Sequence, residues 1–180
     1  MRKTRQVLHR LAIFSAGLLA FSPAHAQTSL EYAVKAAYLT KFAPFVDWPD
    51  TAFASASAPV TICILGTDPF GDAIDKAAAR SAAGNGRPLA IRRISSADAA
   101  NGCHIVFDGD PGVGSLDSLS GKPVVTVTDS TAPAHGVIRF VTLDNHVRFD
   151  IDDAAAARSG IRISSKLLEL AHSVTRRSGP

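Results

Sequence analysis

Cysteine is scarce: the 180 residues contain two, Cys63 and Cys103. Two thiols make a structural zinc site only with histidines at ligand spacing. The six histidines do not supply it. They stand at 9, 25, 104, 135, 146 and 172, with no H-x-x-x-H or H-x-H pair. The G-x-S-x-G elbow of serine hydrolases is missing. A phosphate loop is missing as well. Gly109-Asp110-Pro111-Gly112-Val113-Gly114-Ser115 has neither Lys-Ser/Thr behind its glycines nor G-x-G-x-x-G spacing. Asp108 and Asp110 repel a phosphate there, so the stretch reads as a Gly/Pro turn. No catalytic, cofactor or metal constellation emerges. There is no internal repeat, and only Thr51–Ala58 is of low complexity.

A long apolar run is also lacking. Leu11–Phe21 is about half a membrane span. It follows a basic start, Arg2, Lys3, Arg5 and Arg10, and precedes Ala24-His25-Ala26. That is the layout of a cleaved secretory signal, 1–26, with a mature chain beginning at Gln27. No cysteine follows the cleavage site, which argues against a lipoprotein. The expected product is exported and soluble.

Net positive charge then disappears. Four of the 19 basic residues lie in the leader, leaving 15 against 16 acidic ones, a net of −1. Nucleic acid is not an expected partner. The mature 154 residues make one ordinary domain, 27–180, able to bury its own core.

The pattern that organises this domain is Pro59–Ala79. Val60–Leu65 is apolar at consecutive positions, as in a strand covered on both faces. Gly66-Thr67 ends it. Asp68 occupies an N-cap position with Pro69 at the first helical residue, and Ala73, Ile74, Ala77 and Ala78 follow at helical spacing. This is the first half of a βαβ unit. Before it, Ser29–Phe45 reads as a helix with Val34, Tyr38, Phe42 and Phe45 on one stripe. Asp47-Trp48-Pro49-Asp50 stops it.

After it come strands at Leu89–Ile94, nearer an edge, Cys103–Asp108 and Val124–Thr128. Ser95–Asn101 and Ser115–Leu119 fit short helical turns. Gly136–Thr142 and Val147–Ile151 form a half-exposed hairpin. Asp152 or Asp153 caps a short helix ended by Gly160. Ser164 or Ser165 caps the last helix, whose face is Leu167, Leu168, Leu170, Ala171 and Val174, with Arg176 and Arg177 at its negative end. The expected fold is α/β: one three-layer sandwich with a mostly parallel sheet and an antiparallel edge hairpin.

Two surfaces are candidates. Gly66, Thr67, Asp68 and Phe70 lie at the carboxyl end of a parallel strand, where ligands of open α/β sheets bind. Trp48 with Phe42 or Phe45 fits either core or a partner patch. Cys63 and Cys103 are an even pair in an oxidising compartment, which favours a disulfide. Two small buried thiols are the other possibility, and register decides between them.

Four segments together resemble the YfiR family of exported regulators. They are Lys35-Ala36-Ala37-Tyr38 through Phe45-Val46-Asp47-Trp48-Pro49; Ile62-Cys63-Ile64-Leu65-Gly66 with Asp68-Pro69-Phe70-Gly71; Cys103–Phe107; and Val147–Ile151 through Ile163–Leu168. The resemblance implies a non-enzymatic periplasmic protein. It would bind the periplasmic domain of an inner-membrane diguanylate cyclase, hold it inactive and so control cyclic di-GMP and biofilm matrix. The resemblance also implies a homodimer and sequestration by an outer-membrane lipoprotein. The family pattern can carry two cysteine pairs; this chain matches only the one at Cys63 and Cys103. The alternative reading is a periplasmic small-ligand receptor using the crevice at Gly66–Phe70.

Overall fold

The computed structural model describes residues 23–81, 86–109, 116–129 and 136–177. Residues 1–22 of the expected leader 1–26, and residues 110–115 of the expected Gly/Pro turn, lie outside the described residues, while residues 23–26 open the first helix. Helix α1, Pro23–Phe42, runs through a 3-10 turn, Ala43–Phe45, into strand β1, Val46–Asp47. Strand β2 is Val60–Leu65, helix α2 Ala73–Ala79, and strand β3 Leu89–Ile94. Strands β4, Ile105–Asp108, and β5, Val125–Thr128, precede the hairpin of β6, Ile138–Leu143, and β7, His146–Asp152. Helix α3, Asp153–Arg158, strand β8, Arg162–Ile163, helix α4, Ser165–Leu170, and strand β9, Ser173–Thr175, follow.

Seven strands form one sheet in the order β3-β2-β4-β5-β6-β7-β9. All neighbours are parallel except β6 and β7. β1 and β8 pair antiparallel beside it, Val46 opposite Ile163. The α/β class and the mostly parallel sheet follow from the alternation of apolar runs read above.

β2 is buried on both faces because each face has its own core. Val60, Ile62 and Ile64 pack with Ala36, Leu39 and Phe42 of α1 and Ile74 of α2. Cys63 and Leu65 pack with Ala97, Ala100, Cys103, Leu116 and Leu119. Helices build the first layer. The second is built from the 3-10 turns Ala97–Ala100 and Leu116–Leu119.

Local signals account for several ends. The Asp152 carboxylate accepts the Ala155 N–H at 2.7 Å and starts α3. Gly160, at φ +69°, lets the chain leave it. Ser164 accepts the Leu167 N–H at 3.4 Å and starts α4. The hairpin turn narrows to Asp144-Asn145, both left-handed, as a two-residue hairpin loop requires.

Three expectations are corrected. Asp68 does not cap a helix. Its Oδ1 accepts the Phe70 N–H at 2.7 Å in a turn, its Oδ2 binds Arg93 of β3 at 2.8 Å, and α2 starts only at Ala73. The core stripe of α1 is rotated: Val34 points outward, 37% exposed, while Lys35 is buried with Leu39 and Phe42. The last helix stops at Leu170. The backbone then turns extended, the His172 N–H reaches the Phe149 carbonyl at 2.8 Å, and Ser173–Thr175 becomes β9 beside β7. The β-branched Val174 and Thr175 suit that strand. The hairpin therefore lies one strand inside the edge. Arg177 pairs with Asp153 at 2.7 Å instead of closing a helix.

Candidate functional site

The carboxyl end of the sheet is where the sequence places a ligand crevice. Gly66, Thr67, Asp68 and Phe70 are there, but Phe70 is buried at 5% exposure. Its ring meets Tyr32 edge-on at 5.6 Å and Phe107 at 4.7 Å. Phe70 is part of the hydrophobic core and does not line an open crevice.

Beside it lies a buried ionic knot that the sequence did not reveal. The Lys35 Nζ, on α1, donates to both oxygens of Asp129 at 2.9 and 2.7 Å. It also reaches Glu31 at 2.6 Å. The Tyr32 hydroxyl donates to Asp129 at 3.3 Å, and burial with the Asp129 charge pushes that phenol up. Burial pulls the Lys35 ammonium down, but its hydrogen bonds to Asp129 and Glu31 prevail and hold it raised. Lys35 and Asp129 stand 94 residues apart, so no local pattern could join them. The knot ties α1 over the end of β5. Its cation is shared by two carboxylates, and it offers no nucleophile.

At the opposite end of β2 and β4, aromatic rings gather. Phe53 stacks on His104 at 4.4 Å, and Trp48 meets His104 edge-on at 5.7 Å. The Arg87 guanidinium lies 3.9 Å over Phe53 and donates to the carbonyls of Ser55 and Ala58. The Thr61 N–H donates to His104 Nδ1 at 3.1 Å, so the neutral ring carries its proton on Nε2. Phe53 belongs to the stretch read as a low-complexity loop, which is why the cluster was not foreseen.

The three candidate interface residues separate here. Phe42 is core, 1% exposed, against Tyr38, Phe140 and Phe149. It is withdrawn as a surface anchor, because the inward turn of α1 encloses it. Phe45 and Trp48 are half-buried against the same core. The Trp48 indole N–H is buried without a hydrogen-bond partner.

Burial pushes the His104 imidazole below its usual range; the Ala52 backbone pulls it up and the Arg87 charge lowers it further. The unfolded ring takes a proton near pH 6.5, whereas the folded ring resists it. Stability from this residue is complete above about pH 6.5 and falls as pH drops towards the folded value. Thermal melts between pH 7.5 and 5.5 should show a smaller drop for His104→Gln than for the wild type. Equal drops would remove His104 from the account.

The two cysteines are joined. β2 and β4 run in register with Cys63 opposite Val106, and Cys103 lies just before β4. Their Cα atoms are 5.9 Å apart and the sulfurs are bonded. Arg92 of β3 braces the bridge. Its Nη2 donates to Cys103 Sγ at 2.9 Å and to the carbonyls of Ala99 and Asn101 at 3.1 and 2.6 Å.

Among the described residues, no three His, Cys, Asp or Glu side chains are placed to hold a metal ion. None of the described helices is long and apolar enough to cross a membrane. No curated protein matches the chain. A family model does: YfiR/HmsC-like, over residues 32–172. The match runs from the ionic knot on α1 to the residue before β9, through both faces of the sheet and the bridge. The chain belongs to the YfiR/HmsC-like family.

Proposed function

We propose that this protein is a periplasmic repressor that binds the periplasmic domain of an inner-membrane diguanylate cyclase and lowers cyclic di-GMP. Membership of the family carries the reading, since at family level it supports a periplasmic regulator of this pathway. The site geometry agrees. Phe70, at the sheet's carboxyl end, is packed in the core, and the buried charges are tied to one another. The receptor alternative is supported less, because Phe70, one of its four candidate residues, is buried in the core and not presented to a ligand.

A repressor of this kind needs no contact with the cyclase active site. It needs to bind one conformation of its partner better than the other. A coupling of about 1–3 kcal/mol changes activity about 5- to 150-fold. A homodimer, and sequestration by an outer-membrane lipoprotein, belong to the same proposal. So do Phe45 and Trp48 as contacts. Trp48 is committed to Phe53 and His104, however, so Trp48→Ala removes structure together with any contact.

Deleting the gene should raise cellular cyclic di-GMP about 5-fold or more, and re-expression should reverse it. Unchanged cyclic di-GMP, in cells shown to express a membrane-anchored cyclase, would favour the receptor.

A further inference from the structure

Helix α1 is apolar on two sides, and the core explains only one. Its inward line is Ala36, Leu39, Phe42 and Ala43. A second line, Leu30, Val34 and Tyr38, repeats at i, i+4 and i+8 along one face. Leu30 is 66% exposed and Val34 37%. Among the described residues only Leu143 and Leu170 are other large apolar side chains so exposed. Across from the line stands the hairpin, contributing Thr142, His146 and Arg148 to a groove of about 480 Å³.

The groove is built rather than accidental. Its two walls are tied together by the Thr142 hydroxyl donating to Glu31 at 3.3 Å. Glu31 is held by Lys35, and Lys35 by Asp129. Tyr38 is seated on Phe42, Phe140 and Phe149. An occupant would find the floor already formed, which reduces the ordering cost of binding.

The charges indicate what fits. Glu31 is engaged by Lys35 and Thr142. Arg148 is exposed, and none of the ion pairs among the described residues involves it. His146 beside it bonds the Asp144 carbonyl at 2.6 Å. Among the described residues, Arg148 is therefore a cation without an ion pair at one rim of an apolar floor, across from the engaged Glu31. An amphipathic helix needs an apolar stripe and a complementary charge.

Resting on the repressor reading, we propose that this groove docks a helix of the membrane-anchored partner. Its apolar i, i+4 face would lie on Leu30, Val34 and Tyr38, and one of its carboxylates on Arg148.

The test complements a deletion strain with Leu30→Glu, Val34→Glu, Arg148→Glu and, as control, Leu170→Glu. Leu170 is 67% exposed on α4, away from the groove. Cyclic di-GMP, periplasmic protein level and the melting temperature of each purified variant are measured. At wild-type level and stability, the three groove variants should leave cyclic di-GMP about 5-fold or more above the complemented wild type, while Leu170→Glu represses fully. If a charged variant loses abundance, the milder pair Leu30→Ser with Val34→Ala is used and should act in the same direction. Full repression by the groove variants, with the deletion itself elevated, overturns the groove and leaves the repressor reading standing. No elevation in the deletion strain overturns both. Sedimentation showing a wild-type dimer that Leu30→Glu splits assigns the groove to a second copy and overturns the proposal. So does native mass spectrometry showing a small molecule retained by the wild type and lost by Leu30→Glu.

Discussion

Replacing Lys35 with alanine is expected to lower the unfolding free energy by about 3–5 kcal/mol. Lys35 is 2% exposed and Asp129 4%. The substitution takes the countercharge from a buried carboxylate and leaves a space where the ammonium stood. Removing the two buried charges, as in Lys35→Met with Asp129→Leu, should cost less than Lys35→Ala alone, because the only charge left without its pair is Glu31, which is partly exposed to water. Urea unfolding of the purified proteins measures both. A Lys35→Ala midpoint equal to wild type would mean that the knot contributes nothing. The pH dependence has a defined sign. The ammonium is held above its usual range, so its contribution is complete below about pH 10.4 and is lost as pH climbs through the folded value. Through the neutral range it should be constant.

Loss of the disulfide should be comparably severe. The bond from Cys63 to Cys103 closes a loop spanning 40 positions. The chain-entropy model assigns about 4 kcal/mol to such a loop. The bridge also pins the Ala97–Ala100 turn to the centre of the sheet, where Arg92 binds the carbonyls of Ala99 and Asn101. Cys63→Ala with Cys103→Ala should therefore unfold at markedly lower urea than oxidised wild type, and reductant should shift the wild type but not the variant. A variant as stable as oxidised wild type would show that the Arg92 contacts and the apolar packing hold the turn unaided.

What the sequence disclosed, and what it hid, divides along the range of the interactions. Val60–Leu65 could be read because burial on both faces leaves a run without alternation. Val147–Ile151 could be read because one face of the hairpin is wet. Asp152 and Ser164 announced helix starts because capping acts within three residues. The outward turn of Val34 could not be read. It depends on Lys35 finding Asp129, a partner far along the chain that makes a buried lysine tolerable. Ser173–Thr175 continued a helical spacing, and pairing with distant β7, begun by the His172 N–H on the Phe149 carbonyl, draws it into the sheet. The candidate surfaces fared the same way. Gly66, Thr67 and Asp68 were placed correctly at a strand's carboxyl end, yet the burial of Phe70 there depends on Tyr32 and Phe107. Phe42 looked like Phe45 in a helical stripe and was grouped with Trp48 beyond the helix end, and only the packing of α1 separates it as core. The Leu30–Val34–Tyr38 line was present in the sequence, but two of its three residues, Val34 and Tyr38, were read as part of the stripe with Phe42 and Phe45.

Repression from the periplasmic side can be measured without relying on export. Spheroplasts of the deletion strain expose the periplasmic face of the inner membrane to added protein. Purified protein, residues 27–180, should lower their intracellular cyclic di-GMP about 5-fold or more in a saturable manner, and heat-unfolded protein should have no effect. Cyclic di-GMP that stays elevated at saturating folded protein, in spheroplasts whose membrane cyclase is active, would contradict the account.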